Sequence, residues 1–217
     1  MPELFIQDLR TDDAGAEESA VTRERLKDIF PKLASRRMTQ LGLVLGSTLL
    51  PHSPGENDTL IYASEYAETR ALEGYLDSFP SASPTLFQTS IHPSAVQQAL
   101  IGRQQPVREI FPLAGRAHLV VRALQTALLA TSPRSLLCGG EERGTWLLER
   151  GTASTRTFGF TLALARQGTG SIGCIQFLDT EANAGGLTLP DFFDALHTRA
   201  ALDVIAAPGV RLVLQWS

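Results

Sequence analysis

Strand-like and helix-like hydrophobic patterns alternate through the middle of the chain, and this alternation constrains the fold more than any other feature. The short apolar runs DTLIYAS, PVREIF and SLLCGG are typical of buried strands. Between them, residues 65–79 and HLVVRALQTALLA carry apolar side chains at helical spacing. Because strands that alternate with helices form βαβ units, the pattern predicts an α/β domain around a buried sheet.

Helical patterns also precede and interrupt this middle region. ESAVTRERLKDIF and RRMTQLGLVLGSTLL predict two helices, the second with Ser35 as its N-cap. Residues 83–101 predict a loop or strand and then a helix opened by the dipeptide Pro93-Ser94.

The last third of the chain changes character. TFGFTLALAR and SIGCIQFLD predict an antiparallel hairpin, and LPDFFDALHTRAALDVIA predicts one helix that the following Pro-Gly pair ends. VRLVLQW predicts a final strand. Since we find no internal repeat or interdomain linker, one domain over residues 1–217 is the simplest organisation.

Composition and charge argue against several classes of protein. The chain has 217 residues, is 43% hydrophobic and carries a formal net charge of −4 without a basic block, which argues against a nucleic-acid partner. Cys138 and Cys174 are too few for a disulfide framework, and no Cys or His spacing predicts a metal site. No signal peptide or membrane span is visible, so we expect a cytoplasmic protein that needs neither metal nor cofactor.

Two short motifs suggest chemistry but have simpler structural explanations. GTGSIG at residues 168–173 matches GxGxxG, yet it lies between two predicted strands and opens no helix, so we expect a hairpin turn. Glu141 and Glu142 follow the glycine pair of SLLCGG at a strand end, where α/β proteins often place functional groups. A solvated acidic loop is the favoured interpretation of these two residues.

Three side chains are candidates for catalysis. His92 would act as a base, Ser94 as a nucleophile beside it, and Cys138 as a thiol nucleophile. His92 and Ser94 are separated by a proline, which favours roles in a turn and a helix cap. Cys138 has no adjacent base or cation in the sequence, so we expect it to pack in the core.

The order of the segments is more informative than any single motif. The segments are RRMTQLGLVLGSTLL, DTLIYAS with its following helix, SPTLFQTSIHPSAVQQALI, the turn after VREIF, and SLLCGGEE. This order resembles the N-terminal half of a β-ketoacyl synthase, in particular the chain length factor-like group met in aryl polyene-type clusters. The resemblance spans residues 30–180 and implies a thiolase-like α/β fold, with a mixed central sheet and helices on both faces.

The resemblance implies that the condensing nucleophile is missing. In elongating ketosynthases a strand leads to a turn with a nucleophilic cysteine, a helix follows, and the next strand ends in an Ala-Gly-Gly-like segment. FPLAGRAH takes the place of that turn here. Counting from the following helix puts Leu113 at the cysteine position, and counting back from Gly139 puts Ala114 there. The two catalytic histidines of the family lie in its C-terminal half, so we expect no condensation by this chain alone.

The resemblance also implies a partner. In the family fold, the strand before the turn pairs with its counterpart across a dimer interface. We therefore expect a partner chain to half-bury Val107, Ile110 and Phe111, with Arg108 and Arg116 beside them. A lone half would expose the apolar helix after the turn, and this drives association unless the last helix and strand fold back over it.

Two functions of different classes follow. The first is a catalytically inactive, chain length factor-like accessory subunit of fatty-acid or polyketide (aryl polyene-type) biosynthesis. Such a subunit acts through a ketosynthase, an acyl carrier protein or self-association. The alternative is an enzyme that hydrolyses or transfers acyl thioesters with His92, Ser94 or Cys138. An unrelated binding function on the same fold also remains open.

Overall fold

Eight strands and nine α-helices make up the described part of the chain. The structure is a computed structural model that describes residues 2–217, apart from the side chains of residues 32 and 33. The strands are β1 (Glu3–Gly15), β2 (Asp58–Ser64), β3 (Glu109–Ala114), β4 (Arg134–Glu141), β5 (Thr157–Ala165), β6 (Gly173–Asp179), β7 (Leu202–Ala207) and β8 (Val210–Trp216). The helices are α1 (Ser19–Arg25), α2 (Lys32–Ser35), α3 (Gln40–Leu49), α4 (Thr69–Asp77), α5 (Pro84–Ser90), α6 (Ser94–Arg103), α7 (Leu119–Leu129), α8 (Trp146–Glu149) and α9 (Leu189–Thr198).

All eight strands belong to one mixed sheet in the order β3-β2-β4-β5-β1-β6-β8-β7. β2 pairs in parallel with β3 and β4, and the remaining neighbours are antiparallel. The parallel strands are linked through helices, as parallel connections require. Helices pack on both faces of the sheet. The predicted α/β class with a mixed central sheet is therefore confirmed.

Elements with a strong local pattern lie close to their predicted positions. β2 and β8 have the predicted bounds, and α7 lies within the predicted helix. α3 begins later than expected, and its N-cap is Thr39 rather than Ser35, because the Thr39 side chain accepts a hydrogen bond from the Gly42 amide at 2.9 Å. β3 continues through Ala114, so the first half of the expected turn FPLAGRAH is strand.

Predictions near the ends of the chain are wrong where long-range pairing decides the structure. β5 and β6 form no hairpin, because β1 lies between them and pairs with both. The helix expected over residues 189–206 ends at Thr198, and β7 follows it. The sequence pattern does not predict β1, and α5 forms where a loop or strand was expected.

The two faces of the sheet bury separate apolar clusters. On one face, α7 and α9 cover a cluster that includes Leu124, Phe160 and Phe193, all fully buried. On the other face, α3 and α6 cover a cluster that includes Leu45 and Tyr62. The sheet is therefore the middle layer of three, which explains why all seven residues of β2 are buried.

The apolar face of α7 is covered within the chain itself. Its buried residues are Leu119, Val120, Val121, Ala123, Leu124 and Ala127. They share a cluster with Phe192 and Phe193 of α9 and with residues of β7 and β8. Of the two alternatives, exposure of this helix in a lone half or its cover by the last helix and strand, the structure shows the second, because the C-terminal elements fold back over it. Burial of α7 therefore gives no drive to associate.

Candidate functional site

The turn after β3 holds no nucleophile. Leu113 and Ala114 are the last two residues of β3. Leu113 packs partly buried against the α7 side of the core, and Ala114 is exposed. The chain then turns at Gly115, whose φ of +120° favours glycine, and α7 starts after His118. Nothing lies within 4 Å of the position of a Cβ at Gly115, so the backbone conformation and not lack of space favours glycine there.

β3 forms an open edge of the sheet among the described residues. Val107 and Ile110 pack partly buried against the α3–α6 core cluster, whereas Phe111 is 39% exposed. Pro112 lies within the strand, and proline in a sheet is found at edges because it has no N–H to donate. Pro112 removes one donor from this strand, and the other backbone groups on its open side can pair with another strand.

Arg108 and Arg116 lie at opposite ends of β3. Arg108 is 3.9 Å from the Glu109 carboxylate, and Arg116 forms an ion pair with Glu65. A strand of this length separates them by about 20 Å. The Arg103 guanidinium donates a hydrogen bond to the Ile29 carbonyl, away from β3. Arg103, Arg108 and Arg116 therefore do not form one continuous basic patch.

Cys138 lies in the middle of the sheet and is fully buried. It pairs with Tyr62 of β2 on one side and with Thr161 of β5 on the other. Its Sγ is 3.4 Å from the Thr161 hydroxyl. Burial raises the pKa of this thiol to about 12, so the nucleophilic thiolate is not formed near neutral pH. The structure favours the packing role for Cys138.

His92 contacts a buried carboxylate rather than Ser94. Its Nδ1 lies 3.5 Å from Oε2 of Glu68, and its ring lies 4.5 Å from the ring of Tyr62. The Ser94 hydroxyl donates to the Thr89 carbonyl at 2.5 Å. The structure thus brings together a histidine and a carboxylate but not a serine–histidine pair, which nucleophilic catalysis by Ser94 needs.

Four buried glutamates accept hydrogen bonds at the carboxyl end of the parallel strands: Glu68, Glu73, Glu141 and Glu142. Glu142 accepts from the Leu41 amide at 3.3 Å and from the Arg70 amide at 3.0 Å, and so joins the first turns of α3 and α4. Glu68 accepts from the Ala95 amide in the first turn of α6. A carboxylate at a helix N-terminus is stabilised by the amides and by the helix dipole.

Glu141 and Glu142 are not a solvated acidic loop, because they are 0% and 1% exposed. Glu141 accepts from the Ser64 hydroxyl, from the Tyr66 amide and from the Glu65 amide. Burial raises the pKa of Glu141 to about 8 and that of Glu142 to about 7, and the amide hydrogen bonds oppose this rise. Both carboxylates fix the loops that begin α3 and α4.

Metal ligation finds no support in the described residues. Within residues 2–217, no group of three or more His, Cys, Asp and Glu side chains is arranged to hold a metal ion. In the same part of the chain, no helix is long and apolar enough to cross a membrane.

Comparison with known proteins identifies the fold. No protein-family model and no curated protein sequence matches the chain. Among solved structures, the chain resembles ketosynthases and the complexes that they form. The chain therefore has a thiolase-like, ketosynthase-like fold, as its segment order predicts.

The individual likenesses include ketosynthase/chain length factor structures. One is the ketosynthase ApeO in complex with its chain length factor ApeC from Xenorhabdus doucetiae, with a TM-score of 0.70 and 17% identity over 99% of this chain and 100% of that chain. Another is the ishigamide ketosynthase/chain length factor, with a TM-score of 0.58 and 9% identity over 82% of this chain and 68% of that chain. A third is a β-ketoacyl synthase from Burkholderia phymatum STM815, with a TM-score of 0.55 and 11% identity over 84% of this chain and 65% of that chain. The fold is thus like that of ketosynthases and chain length factors.

Sequence reasoning missed the groups that surround His92. Glu68 and Tyr62 are distant from His92 along the chain and meet it only because β2, α4 and α6 converge. The adjacent Arg36 and Arg37 also escaped attention, although two arginines just before a helix N-cap are a visible signal.

Proposed function

We propose that this protein is a non-condensing, chain length factor-like accessory subunit. One observation carries the proposal: the end of β3 and the turn after it present Leu113, Ala114 and Gly115 where a condensing enzyme of this fold needs a thiol. Cys138 does not replace that thiol, because it is buried inside the sheet. We place the activity in fatty-acid or polyketide-type, aryl polyene-like biosynthesis, in the cytoplasm, with residues 1–217 as one half-domain.

The open edge of β3 supports a ketosynthase as the partner. Phe111 is a large apolar side chain exposed on that edge, and the strand has no neighbour on its outer side among the described residues. A strand from another chain would pair its backbone with β3 and cover Phe111. Val107, Ile110, Arg108 and Arg116 would flank this contact. The similar structure of ApeO with ApeC, a ketosynthase with its chain length factor, agrees with this choice.

Two other partners differ in their support. An acyl carrier protein is acidic, and binding at the β3 edge would need a continuous basic surface there, which Arg108 and Arg116 at opposite ends of the strand do not provide. Two copies of this chain could also pair through the same edge of β3. The measured mass of the complex distinguishes such a dimer from a complex with a ketosynthase. The alternative of a thioester-processing enzyme lacks a nucleophile–base pair among the candidate residues, because Ser94 hydrogen-bonds to the Thr89 carbonyl and Cys138 contacts the Thr161 hydroxyl.

Native mass spectrometry of the tagged protein from its own cells tests the proposal. We expect a complex with a ketosynthase that carries its catalytic cysteine. Phe111→Lys introduces a charge at the β3 edge and should abolish that complex without unfolding the chain. Leu129→Lys is the matched control, because Leu129 is 81% exposed at the last residue of α7 and is not part of a strand.

Three results would contradict the proposal. One is a chain that binds no ketosynthase, and another is a complex that survives Phe111→Lys. The third is turnover of an acyl thioester by the purified chain that is lost in His92→Ala, since this would establish the enzyme instead.

A further inference from the structure

A large basic groove lies outside the carboxyl ends of the parallel strands. It has a volume of about 1100 Å³ and is bordered by the starts of α3, α4 and α6. Glu142, just past β4, lies at its floor. Ligands of open α/β sheets commonly bind in a crevice at this end of the strands. The volume slightly exceeds the roughly 300–1,000 Å³ that is usual for small-molecule sites.

Four arginines line this groove: Arg23, Arg36, Arg37 and Arg70. Glu142 is the carboxylate among the described lining residues, and two backbone amides already engage it. The groove is therefore strongly positive, although the whole chain has a net charge of −4. An excess of one charge that opposes the charge of the whole molecule points to an anionic ligand.

The four guanidinium groups differ in how firmly they are held. Arg23 donates to the Ser35 carbonyl and, at 3.1 Å, to the Met38 carbonyl, which fixes its position at the groove wall. Arg70 lies 3.8 Å from the Glu73 carboxylate. Arg36 and Arg37 are exposed and have no ion pair among the described residues. One fixed guanidinium group (Arg23), one that lies beside a carboxylate (Arg70) and two that are uncommitted can surround an anion from several sides.

Hydrogen bonding in the groove selects the kind of anion. The helix amides of Leu41 and Ala95 already donate to Glu142 and Glu68. The negative charge of a ligand would therefore be bound by the guanidinium groups. Guanidinium groups bind phosphate oxygens in pairs, and a phosphate group offers several oxygens to several arginines. Gln97, Thr85 and other neutral polar side chains line the rest of the groove and suit a polar ligand body.

We propose that this arginine groove binds a small phosphorylated molecule that carries at least two negative charges. The concave shape favours a small molecule over a convex acidic protein surface. Recognition rests on Arg36 and Arg37 closing on phosphate oxygens against the fixed Arg23. No residue of β3 is among the described residues that line the groove, so the site does not use the edge proposed above for the partner.

Isothermal titration of the whole protein with inorganic pyrophosphate at constant ionic strength tests this site. We expect saturable binding at one site. The double variant Arg36→Gln/Arg37→Gln should weaken binding by about tenfold or more, because it removes two charge-assisted contacts. Arg122→Gln/Arg150→Gln removes the same charge from exposed positions outside the groove and should bind as the unchanged protein does.

Further titrations separate the sources of the phosphate. Poly-glutamate represents an acidic protein, and vesicles of phosphatidylcholine with phosphatidic acid represent a lipid headgroup. Binding of either one without binding of pyrophosphate overturns the proposal. Equal weakening by the two double variants also overturns it, since the effect would then come from overall charge.

Discussion

At the residue scale, Glu142 connects two helices that are distant in sequence. Its carboxylate accepts from Leu41, 101 residues away, and from Arg70, 72 residues away. No local sequence pattern predicts such long-range contacts, and for this reason the sequence favours a solvated loop for Glu141 and Glu142. The same limit applies to His92 and Glu68. The sequence locates the strand that ends at Glu141 but not the amides that meet it.

We predict that Glu142 makes the stability of the protein depend on pH. Burial raises its pKa to about 7, above the ordinary value of 4.5, so the folded state binds the proton more tightly than the unfolded state. This contribution to stability is complete below the unfolded pKa and is lost as pH rises through about 7. The free energy of unfolding should therefore fall, by at most about 1.4 kcal/mol per pH unit for this group.

Urea unfolding of Glu142→Gln over the same pH range measures this effect. The variant should lose part of the slope, whereas Glu149→Gln, at an exposed position, should keep it. Other titrating groups such as His52, whose pKa burial lowers, are common to both proteins and cancel in the comparison. An unchanged slope in Glu142→Gln would show that its carboxyl does not take up a proton on folding.

At the element scale, α9 closes the core over α7. Phe193 is fully buried, and its ring lies 4.4 Å from that of Phe158 in β5. We predict that Phe193→Ala destabilises the chain by about 3–5 kcal/mol, the usual cost of truncating a buried phenylalanine. Phe79→Ala, at a side chain that is 55% exposed, should cost well under half of that. Chemical denaturation measures both, and equal losses would mean that α9 is not part of the core.

The elements also show which information was local. DTLIYAS is apolar throughout because β2 is covered on both faces, so its bounds were readable. β1 contains Asp8, Arg10 and Asp12, and its apolar and polar residues alternate only weakly. The sequence therefore does not predict its central position in the sheet. The helix expected through residue 206 ends where Arg199 adopts a left-handed conformation, and the apolar residues after it pair with β8. Pairing partners, rather than composition, decide such cases.

At the scale of the whole molecule, the covered α7 indicates a chain that folds alone, whereas the open β3 edge indicates a chain that binds a partner. A core that is covered within one chain allows the chain to fold alone. The outer edge of β3 has no neighbouring strand among the described residues and exposes Phe111, so a second strand can pair there. These two indications agree if the partner binds a chain that is already folded. The chain then differs from an obligate oligomer, whose stability depends on its own concentration.

We predict that the thermal midpoint of the isolated chain stays constant over about a hundredfold dilution, because unfolding does not include dissociation of copies. Addition of the ketosynthase recovered with the native protein should raise the midpoint, since a ligand that binds only the folded state stabilises it. Phe111→Lys should leave the first value unchanged and remove the rise. A midpoint that falls on dilution would instead show that copies of this chain cover one another's β3 edge, and the partner would then be the protein itself.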